Sequence, residues 1–488
     1  MEKYFKTLLK NKDAKVYRVG GAVRDKILKQ NPKDYDYLVT GVPFNYLIYF
    51  LQTKGKVEHV GATFGVLKFY PANKNIKKEI DIALPRKEIS IGPGHKQFKV
   101  EFDHTLTVMD DLGRRDFTIN SIAFDIKTKR YIDPFGGLQD IKDKIIRHVS
   151  EKAFEEDPLR ILRAIQFSAR LNFKITQKTL NLMSASVNLL IHVSPERIAV
   201  ELNKLLSSDK PSIGFDYLYE CGALKLLLPE LCECKNIKQT RKGQASTVFD
   251  HIMLALDAVP KDNLLIRWAA VFHDMAKPEC KILRKGKNSF IGHDKTGAKL
   301  AKKYLTAWKF PNNFTADVAH LIKHHMFDAA PKITSKAVRR LINKVGKEYI
   351  FDLIELRKAD RNGTTEKLSM WKIDNLVRKI KIELANKPFS INDLAIDGTD
   401  IMEHTGLKSG PEIGLIQKIL LLYVLYHDVL NSKSDLQLHI PYPGKEWIEY
   451  CPNGTIFRLN KILEMLNSES VWSWDCGHMC GNICANKD

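Results

Sequence analysis

No stretch of the chain approaches the twenty or so consecutive apolar residues of a membrane span, so a transmembrane-helix protein is not expected. The N-terminal MEKYFKTLLKNKDAK has no apolar core and no small-residue cleavage site. No signal peptide is therefore expected, and the expected setting is the cytoplasm. Cysteine is sparse, at eight in 488 residues. Cys221, Cys232, Cys234, Cys280 and Cys451 are scattered, as suits reduced thiols and not a disulfide frame. Neither an internal repeat nor a low-complexity tract is present. Acidic residues are in deficit, 57 against 77 Lys and Arg, for a net charge of +20. That balance favours polyanionic partners, nucleic acid first, although lysines on solvated helix faces add to the same total. Apolar residues make up 44%, ordinary for a chain with sizeable cores.

What is present falls into two parts. Residues 1–150 mix strands and helices: VYRVGG reads as a strand entering a Gly turn, and DYDYLVTG, VEHVGATFGVLKFY and EIDIAL alternate with strand period. GPGHKQFKVEFD, from Gly92 to Asp103, reads as a basic, Gly-containing loop. From Ser150 onward helical spacing dominates. AFEEDPLRILRAIQFSARL has apolar residues at helical spacing, with Leu159, Leu162, Ile165 and Phe167 near one face, and Pro158 fits a first-turn position. SPERIAVELNKLL, VFDHIMLALDAV, LIRWAAVFHDMA, ADVAHLIKHHM and GPEIGLIQKILLLYVLYHDVL read the same way, with a break near residues 236–246. The fold expected is α+β, a mixed-sheet head followed by an all-helical body.

The chemistry begins with GGAVRD at Gly20–Asp25 and DYD at Asp34–Asp36. Alternation on a strand places Asp34 and Asp36 on one face. Two adjacent carboxylates repel unless a cation sits between them, and magnesium suits all-oxygen ligation. The Gly pair lets backbone N–H groups approach a triphosphate, and Arg24 can bind its oxygens. An isolated DxD is more often a solvated strand face; a Gly turn, an Arg and paired Asp in this order fit nucleotidyl transfer. Two further blocks follow: RRDFTINSIAFD, with Arg114, Arg115, Asp116 and Asn120, and EEDPLRILRAIQF, with Asp157, Arg160 and Arg163. On one helix Asp157 and Arg160 share a face, which taken alone reads as a surface ion pair.

GGAVRD…DYD, RRDFTIN, DPFGGLQD, IIRHVS and FEEDPLRILRA resemble the class II CCA-adding tRNA nucleotidyltransferases and their bacterial poly(A) polymerase relatives, of the polymerase-β superfamily. The likeness covers roughly the first 230 residues in order. It implies that Asp34 and Asp36 hold Mg2+, that Gly21, Arg24 and Arg115 contact the nucleotide, and that Asp157, Arg160 and Arg163 read the base. One departure is Gln166, where many relatives carry Arg. The Gly92–Asp103 segment resembles the loop with which the family switches from C to A addition; a plain surface connection is the other reading of it.

In the body, His251, the adjacent His273–Asp274, His293, His324–His325 and Asp360 lie on or beside apolar helical patterns. Histidines and carboxylates converging from several helices are how bundles build metal sites. The set resembles the HD metal-dependent phosphohydrolases fused to some bacterial CCA-adding enzymes. That likeness implies a divalent ion such as Ni2+ or Mn2+ held by His251, His273, Asp274 and Asp360, with His293 and one of His324 or His325 (here His325) as further ligands. Phosphatase, nucleotidase or 2′,3′-cyclic phosphodiesterase activity would follow, or the domain is vestigial. The terminal Cys476, His478, Cys480 and Cys484 lack paired zinc knuckles and read as a disordered or locally packed tail.

The expected organisation is a nucleotidyltransferase head at 1–149, a helical neck at 150–236, an HD domain at 237–375 and a helical C-terminal segment with its tail at 376–488. The expected activity is template-independent addition and repair of the tRNA 3′-terminal CCA from CTP and ATP. A poly(A) polymerase or a partial CC- or A-adding enzyme is the alternative. An HD hydrolase with an idle head and a non-catalytic RNA-binding protein complete the field. No membrane and no obligatory protein partner are expected.

Overall fold

The computed structural model describes residues 2–32, 34–60, 66–72, 79–90, 98–238, 247–284, 287–327, 329–330, 332–362, 370–426 and 429–440. The chain forms two compact units, Met1–His325 with Ala359–Leu368, and Met326–Lys358 with Ser369–Asp488. No described helix is long and apolar enough to cross a membrane. The tail cysteines, Cys451 and the switch-like residues 91–97 lie outside the described residues.

The first unit opens on a mixed sheet. Its strands are β1 (Lys15–Val19), β2 (Asp36–Thr40), β3 (Gly55–Val60), β4 (Val66–Pro71), β5 (Ile80–Ala83), β8 (Ala123–Asp125) and β9 (Tyr131–Ile132), in the order β3-β4-β5-β2-β1-β8-β9. Period-2 patterning puts Val16, Tyr37, Val39, Leu67, Phe69, Ile80 and Ile82 into one core. Tyr17, Val19, Leu38 and Ala123 point to the other face, where Val108 and Leu112 cover them. β2 and β5 run parallel with Asp36 opposite Asp81, and β1 lies antiparallel to β2 with Val19 opposite Asp36. This register gathers the acids at one end of the sheet, on the Leu38 face.

Three local readings change. β2 begins at Asp36, so Asp34 precedes the strand and is exposed; strand alternation does not place it. Part of the expected Gly92–Asp103 loop is a strand, β7 (Phe98–Phe102), paired antiparallel with β6 (Arg86–Ser90). There Phe98, Val100 and Phe102 alternate among the charges. Pro158 does stand at the start of helix Leu159–Leu171, but Asp157 before it is extended at φ −137° and ψ 96° and follows a separate short helix, Ala153–Glu156. Proline disfavours the helical region for the residue before it. Asp157 therefore lies outside the Arg160 helix and shares no helical face with it.

Helices carry most of the rest of the unit; the body expected to be all-helical also contains strand Lys174–Ile175, paired with Ile145–Ile146, and the short strand pair Ile282–Arg284 with Lys287–Ser289. Arg267, 1% exposed, donates to the carbonyls of Ser208, Val259 and Pro260, and to Leu206. These carbonyls lie at the C-terminal ends of helices Pro195–Leu206 and Val248–Ala258. The buried cation thus offsets two negative helix ends at once.

The second unit is helical throughout its described residues. Helix Pro411–Tyr426 is apolar on nearly every side and is buried in two clusters, one around Ile401, Ile416 and Leu420, the other around Ile419, Leu422 and Leu425. A buried Glu383 on helix Trp371–Asn386 accepts from Arg339 of helix Ser335–Val345 at 3.0 Å.

Candidate functional site

Two groups of polar residues lie in the first unit. One is built at the sheet end. Gly20, at φ +71°, turns β1 into helix Gly21–Ile27. A Cβ there would stand 3.1 Å from Arg115 Nη1 and 3.3 Å from Asp36 Oδ2, so glycine serves both the left-handed turn and the close approach. Burial pushes the Asp36 carboxyl up, Asp81 and Asp34 push it further, and Arg115 opposes them. Asp81 is likewise raised, first by burial, with Lys68 opposing. Asp81 Oδ1 is buried with no hydrogen-bond partner among the described residues. An orphaned carboxylate oxygen beside mutually repelling acids is a donor set that fits a hard divalent cation. Asp81 went unnoticed in the sequence, although an acid between Ile80 and Ile82 of a short apolar strand was the available signal.

Arginines surround these acids in a fixed lattice. Fully buried Asp111 accepts from Arg115 at 2.8 Å and Arg114 at 2.5 Å. Burial alone would raise its carboxyl; the two guanidiniums outweigh that and hold it below its usual value. Arg24 donates to Asp25 and, at 2.7 Å, to Asn120 Oδ1. Asn120 donates to Asp116 Oδ1 at 2.9 Å, and Asp116 Oδ2 accepts from Arg163 Nε and Nη2 at 2.9 and 2.6 Å. Asp116 is also held low: burial opposes ionisation, and Arg163 and Asn120 overcome it. Phe167 lies between the two ends of this chain, its ring centroid 5.0 Å from the Arg24 guanidinium and 5.5 Å from that of Arg163. Arg160 donates to the Arg114 carbonyl at 2.8 Å and approaches Glu156 at 3.4 Å. Asp157 is paired with Arg197 of helix Pro195–Leu206, at 3.1 Å, not with Arg160. Gln166 is buried and accepts from Arg170 at 3.2 Å. Gly21, Arg24, Arg115, Arg160 and Arg163 thus belong to one connected region with Asp36. Arg197 was missed because nothing local in SPERIAVEL points to Asp157.

The second group converges from five helices. His251 lies on Val248–Ala258, and His273 and Asp274 follow Leu264–Phe272. His293 opens His293–Ala307, His325 caps Asn312–His324, and Asp360 lies on Ile350–Asn362. Asp274 is the hub. Its Oδ2 is 3.4 Å from both His251 Nε2 and His273 Nε2; its Oδ1 is 3.3 Å from His293 Nε2 and 3.8 Å from His325 Nε2. Asp360 Oδ1 is 3.0 Å from His251 Nε2. His251, His273 and Asp274 form one group with metal-ligand spacing, and Asp274, His293 and His325 a second.

The rings are oriented from behind. Nδ1 of His273, His293 and His325 each donates at 2.7 Å to a carbonyl three residues earlier, Ala270, Phe290 and Ile322. A carbonyl only accepts, so Nδ1 carries the proton, and in the neutral ring Nε2 keeps its lone pair; burial lowers the His293 imidazole, but Asp274 outweighs it and raises it. Two such Nε2 atoms, of His293 and His325, stand 3.3 Å apart, and with both rings neutral neither donates to the other. Bare nitrogens around a buried carboxylate are a donor set that fits one or two divalent cations. Burial, with the neighbouring His273, takes the His325 imidazole down to about 4, so it is neutral at physiological pH. Lys277 contacts Asp274 Oδ2 at 2.5 Å. Adjacent His324 is half-buried, away from the group, with its ring against His320.

Residues 16–147 match the "Poly A polymerase head domain", residues 172–235 the "Probable RNA and SrmB- binding site of polymerase A", and residues 292–438 the "tRNA nucleotidyltransferase domain 2 putative". The chain is 35% identical over 340 residues to the multifunctional CCA protein of Shewanella frigidimarina, covering 68% of this chain and 78% of that one. It is 35% identical over 365 residues to the counterpart in Vibrio campbellii, covering 71% and 85%. Among solved structures, the Bacillus stearothermophilus CCA-adding enzyme in complex with CTP superposes with a TM-score of 0.64 at 24% identity, over 90% of this chain and 97% of that one. The Thermotoga maritima CCA-adding enzyme complexed with tRNA gives a TM-score of 0.54 at 20% identity, over 90% and 92%; both share the fold. The chain belongs to the CCA-adding tRNA nucleotidyltransferase family, whose head it shares with the poly(A) polymerases.

Proposed function

We propose that the chain adds and repairs the 3′-terminal CCA of tRNA without a nucleic-acid template, using CTP and ATP. The primer 3′-oxygen attacks the α-phosphorus, the bond to the β-phosphate breaks, and pyrophosphate leaves. Mg2+ held by Asp34 and Asp36, with Asp81 beside them, would activate that hydroxyl and offset the charge of the departing pyrophosphate. Gly20 and Gly21 admit the triphosphate to the turn, and Arg24 and Arg115 bind its oxygens. Asp157 and Arg160 select the base. Cytosine and adenine both offer an exocyclic amine beside a ring-nitrogen acceptor. Uracil and guanine place a carbonyl where the amine stands, leaving Asp157 unmatched at a cost of about 1–3 kcal/mol. Arg197 and Arg114 leave each reader with capacity to spare, since a carboxylate accepts at several sites and a guanidinium has five donors. In this reading 1–149 is the head, 150–236 the neck and 376–488 the C-terminal segment; the reaction's setting is the cytoplasm.

The observation that carries the reading is Asp81 Oδ1, orphaned and buried beside Asp36 and Asp34. The test is gel analysis of trimmed tRNA incubated with CTP, ATP or both. Two cytidines from CTP and one adenosine after them are expected; long adenosine tails would favour a poly(A) polymerase instead.

A second activity is supported by the bare Nε2 atoms around Asp274. We infer that residues 237–375 act as an HD-type phosphohydrolase. His251, His273, Asp274, His293, His325 and Asp360 would hold a divalent ion such as Ni2+ or Mn2+, which would supply activated water. Release of phosphate from a 3′-phosphate terminus, or opening of a 2′,3′-cyclic phosphate to the monoester, dependent on added Ni2+ or Mn2+ and absent in Asp274→Asn, is the expected result.

A further inference from the structure

Helix His293–Ala307 is divided sharply between two faces. His293, Gly297, Ala298, Ala301, Tyr304 and Leu305 are buried. Gly297 packs so tightly that a Cβ would stand 3.1 Å from the Phe272 carbonyl, one residue before His273. The other face carries Lys295, Lys299, Lys302, Lys303 and Thr306, all exposed, and Lys309 follows just past the helix end. At about 100° per residue these side chains share a wedge roughly 100° wide, and from Lys295 to Thr306 they run about 16 Å. No acidic residue lies in the wedge. Lys303 pairs with Glu230 at 3.5 Å; Lys295, Lys299, Lys302 and Lys309 make no ion pair with a described residue.

A lysine-only stripe is unfavourable for the helix taken alone. Lysines at i and i+4, as at Lys295–Lys299 and Lys299–Lys303, repel where Glu would attract. Lys295 also stands in the first turn, where the helix dipole disfavours a cation. The sequence keeps an arrangement that opposes helix formation, and a polyanion laid along the stripe reverses each of these terms. We propose that this face is a docking surface for the phosphate backbone of the RNA substrate, resting on the tRNA-extending function argued above. The partner chemistry is a nucleic-acid duplex contacted through its phosphates and not its bases, because lysine ammonium groups are point charges with no fixed fork to read base edges. The same helix carries His293 of the metal-type cluster on its buried face.

The test uses the full chain and a trimmed tRNA transcript. In Lys295→Gln/Lys299→Gln/Lys302→Gln each change removes a charge and keeps a good helix former. Dissociation constants are read by fluorescence anisotropy across a salt series. The variant is expected to bind about fivefold or more weakly at low salt, and the slope of log Kd against log salt should fall by about two to three, near one per lost phosphate contact. Its thermal midpoint should not fall, and its KM for CTP at saturating tRNA should match wild type. A control, Lys6→Gln/Lys10→Gln/Lys12→Gln, removes equal charge elsewhere and should leave the slope within one of wild type. An unchanged slope in the first variant, or an equal drop in the control, overturns the surface. Wild-type chain that neither binds nor extends the tRNA would instead defeat the functional reading beneath it.

Discussion

Asp81 has one buried carboxylate oxygen without a hydrogen-bond partner among the described residues, and its neighbour is the acid of the DYD pair that β2 carries. Asp81→Asn should therefore cut nucleotide addition by about 10–100-fold, as loss of a cation's close support does, and raise the Mg2+ concentration for half-maximal rate. An unaltered Mg2+ titration would remove Asp81 from the site. Asp116 works differently. It is buried against Arg163 at 2.6 Å, and removing one member of such a pair costs about 3–5 kcal/mol. Asp116→Asn should show this loss in urea unfolding at pH 7. The pH dependence has a definite sign. The folded Asp116 carboxyl lies below its usual value, so its stabilisation is fully present above the unfolded value of about 3.9. It is lost only as pH falls through the folded value. The gap between wild type and variant should stay flat from about pH 7 to pH 5 and close in more acid solution; a gap that closes near neutrality would assign the coupling to another group.

Short elements decide what was legible before the structure. The Gly turn, β2 and the helix bearing Arg160 and Arg163 were readable because their patterns are local: period 2, period 3.6, and glycine where φ is positive. The His and Asp segments were readable for the same reason, each standing at or on an apolar helix. Missed features depend on pairings between distant segments. Asp81 meets Asp36 only through the parallel β2–β5 register, and Arg197 reaches Asp157 across 40 residues. The Asp157–Pro158 break was legible in principle, since proline restricts its predecessor, but helical periodicity on both sides concealed it. That break frees Asp157 from the helix and leaves Arg197 of helix Pro195–Leu206 to orient it. Arg197→Met should then weaken selection: loss of a charge-assisted hydrogen bond corresponds to about tenfold or more. It is expected as a smaller ratio of kcat/KM for CTP over UTP, with kcat at saturating CTP reduced much less. Arg197→Lys should restore part of the ratio. A drop in kcat with discrimination intact would mean that the contact only supports the fold.

Within the first unit, two sets of polar residues stand on unlike frameworks: carboxylates at and beside strand ends of a sheet, and imidazoles with carboxylates on five helices, the latter alone among the described residues bringing three ligand atoms within 4.8 Å of one another. Oxygen-only ligation selects a hard ion that keeps much of its water; imidazoles mixed with carboxylates admit divalent transition metals, Ni2+ through the imidazoles and Mn2+ through the carboxylates. Stabilisation by an ion that binds only the folded chain follows its own affinity, about 2.7 kcal/mol at a hundred times Kd. Micromolar Ni2+ or Mn2+ should thus raise the thermal midpoint through the imidazole cluster. Asp274 engages both halves of that cluster, so Asp274→Asn should abolish the shift in one step, where His325→Gln removes only part. Neither change touches a group near Asp36, and addition of CCA to trimmed tRNA with Mg2+ should proceed at the wild-type rate in both. Conversely, Asp36→Asn should silence addition and leave the Ni2+ or Mn2+ midpoint shift whole. The frameworks argue for this separation, because a carboxylate at a strand end and an imidazole at a helix end are fixed by different cores. If Asp274→Asn slowed nucleotide addition while the protein stayed folded, the two centres would have to be treated as one coupled machine.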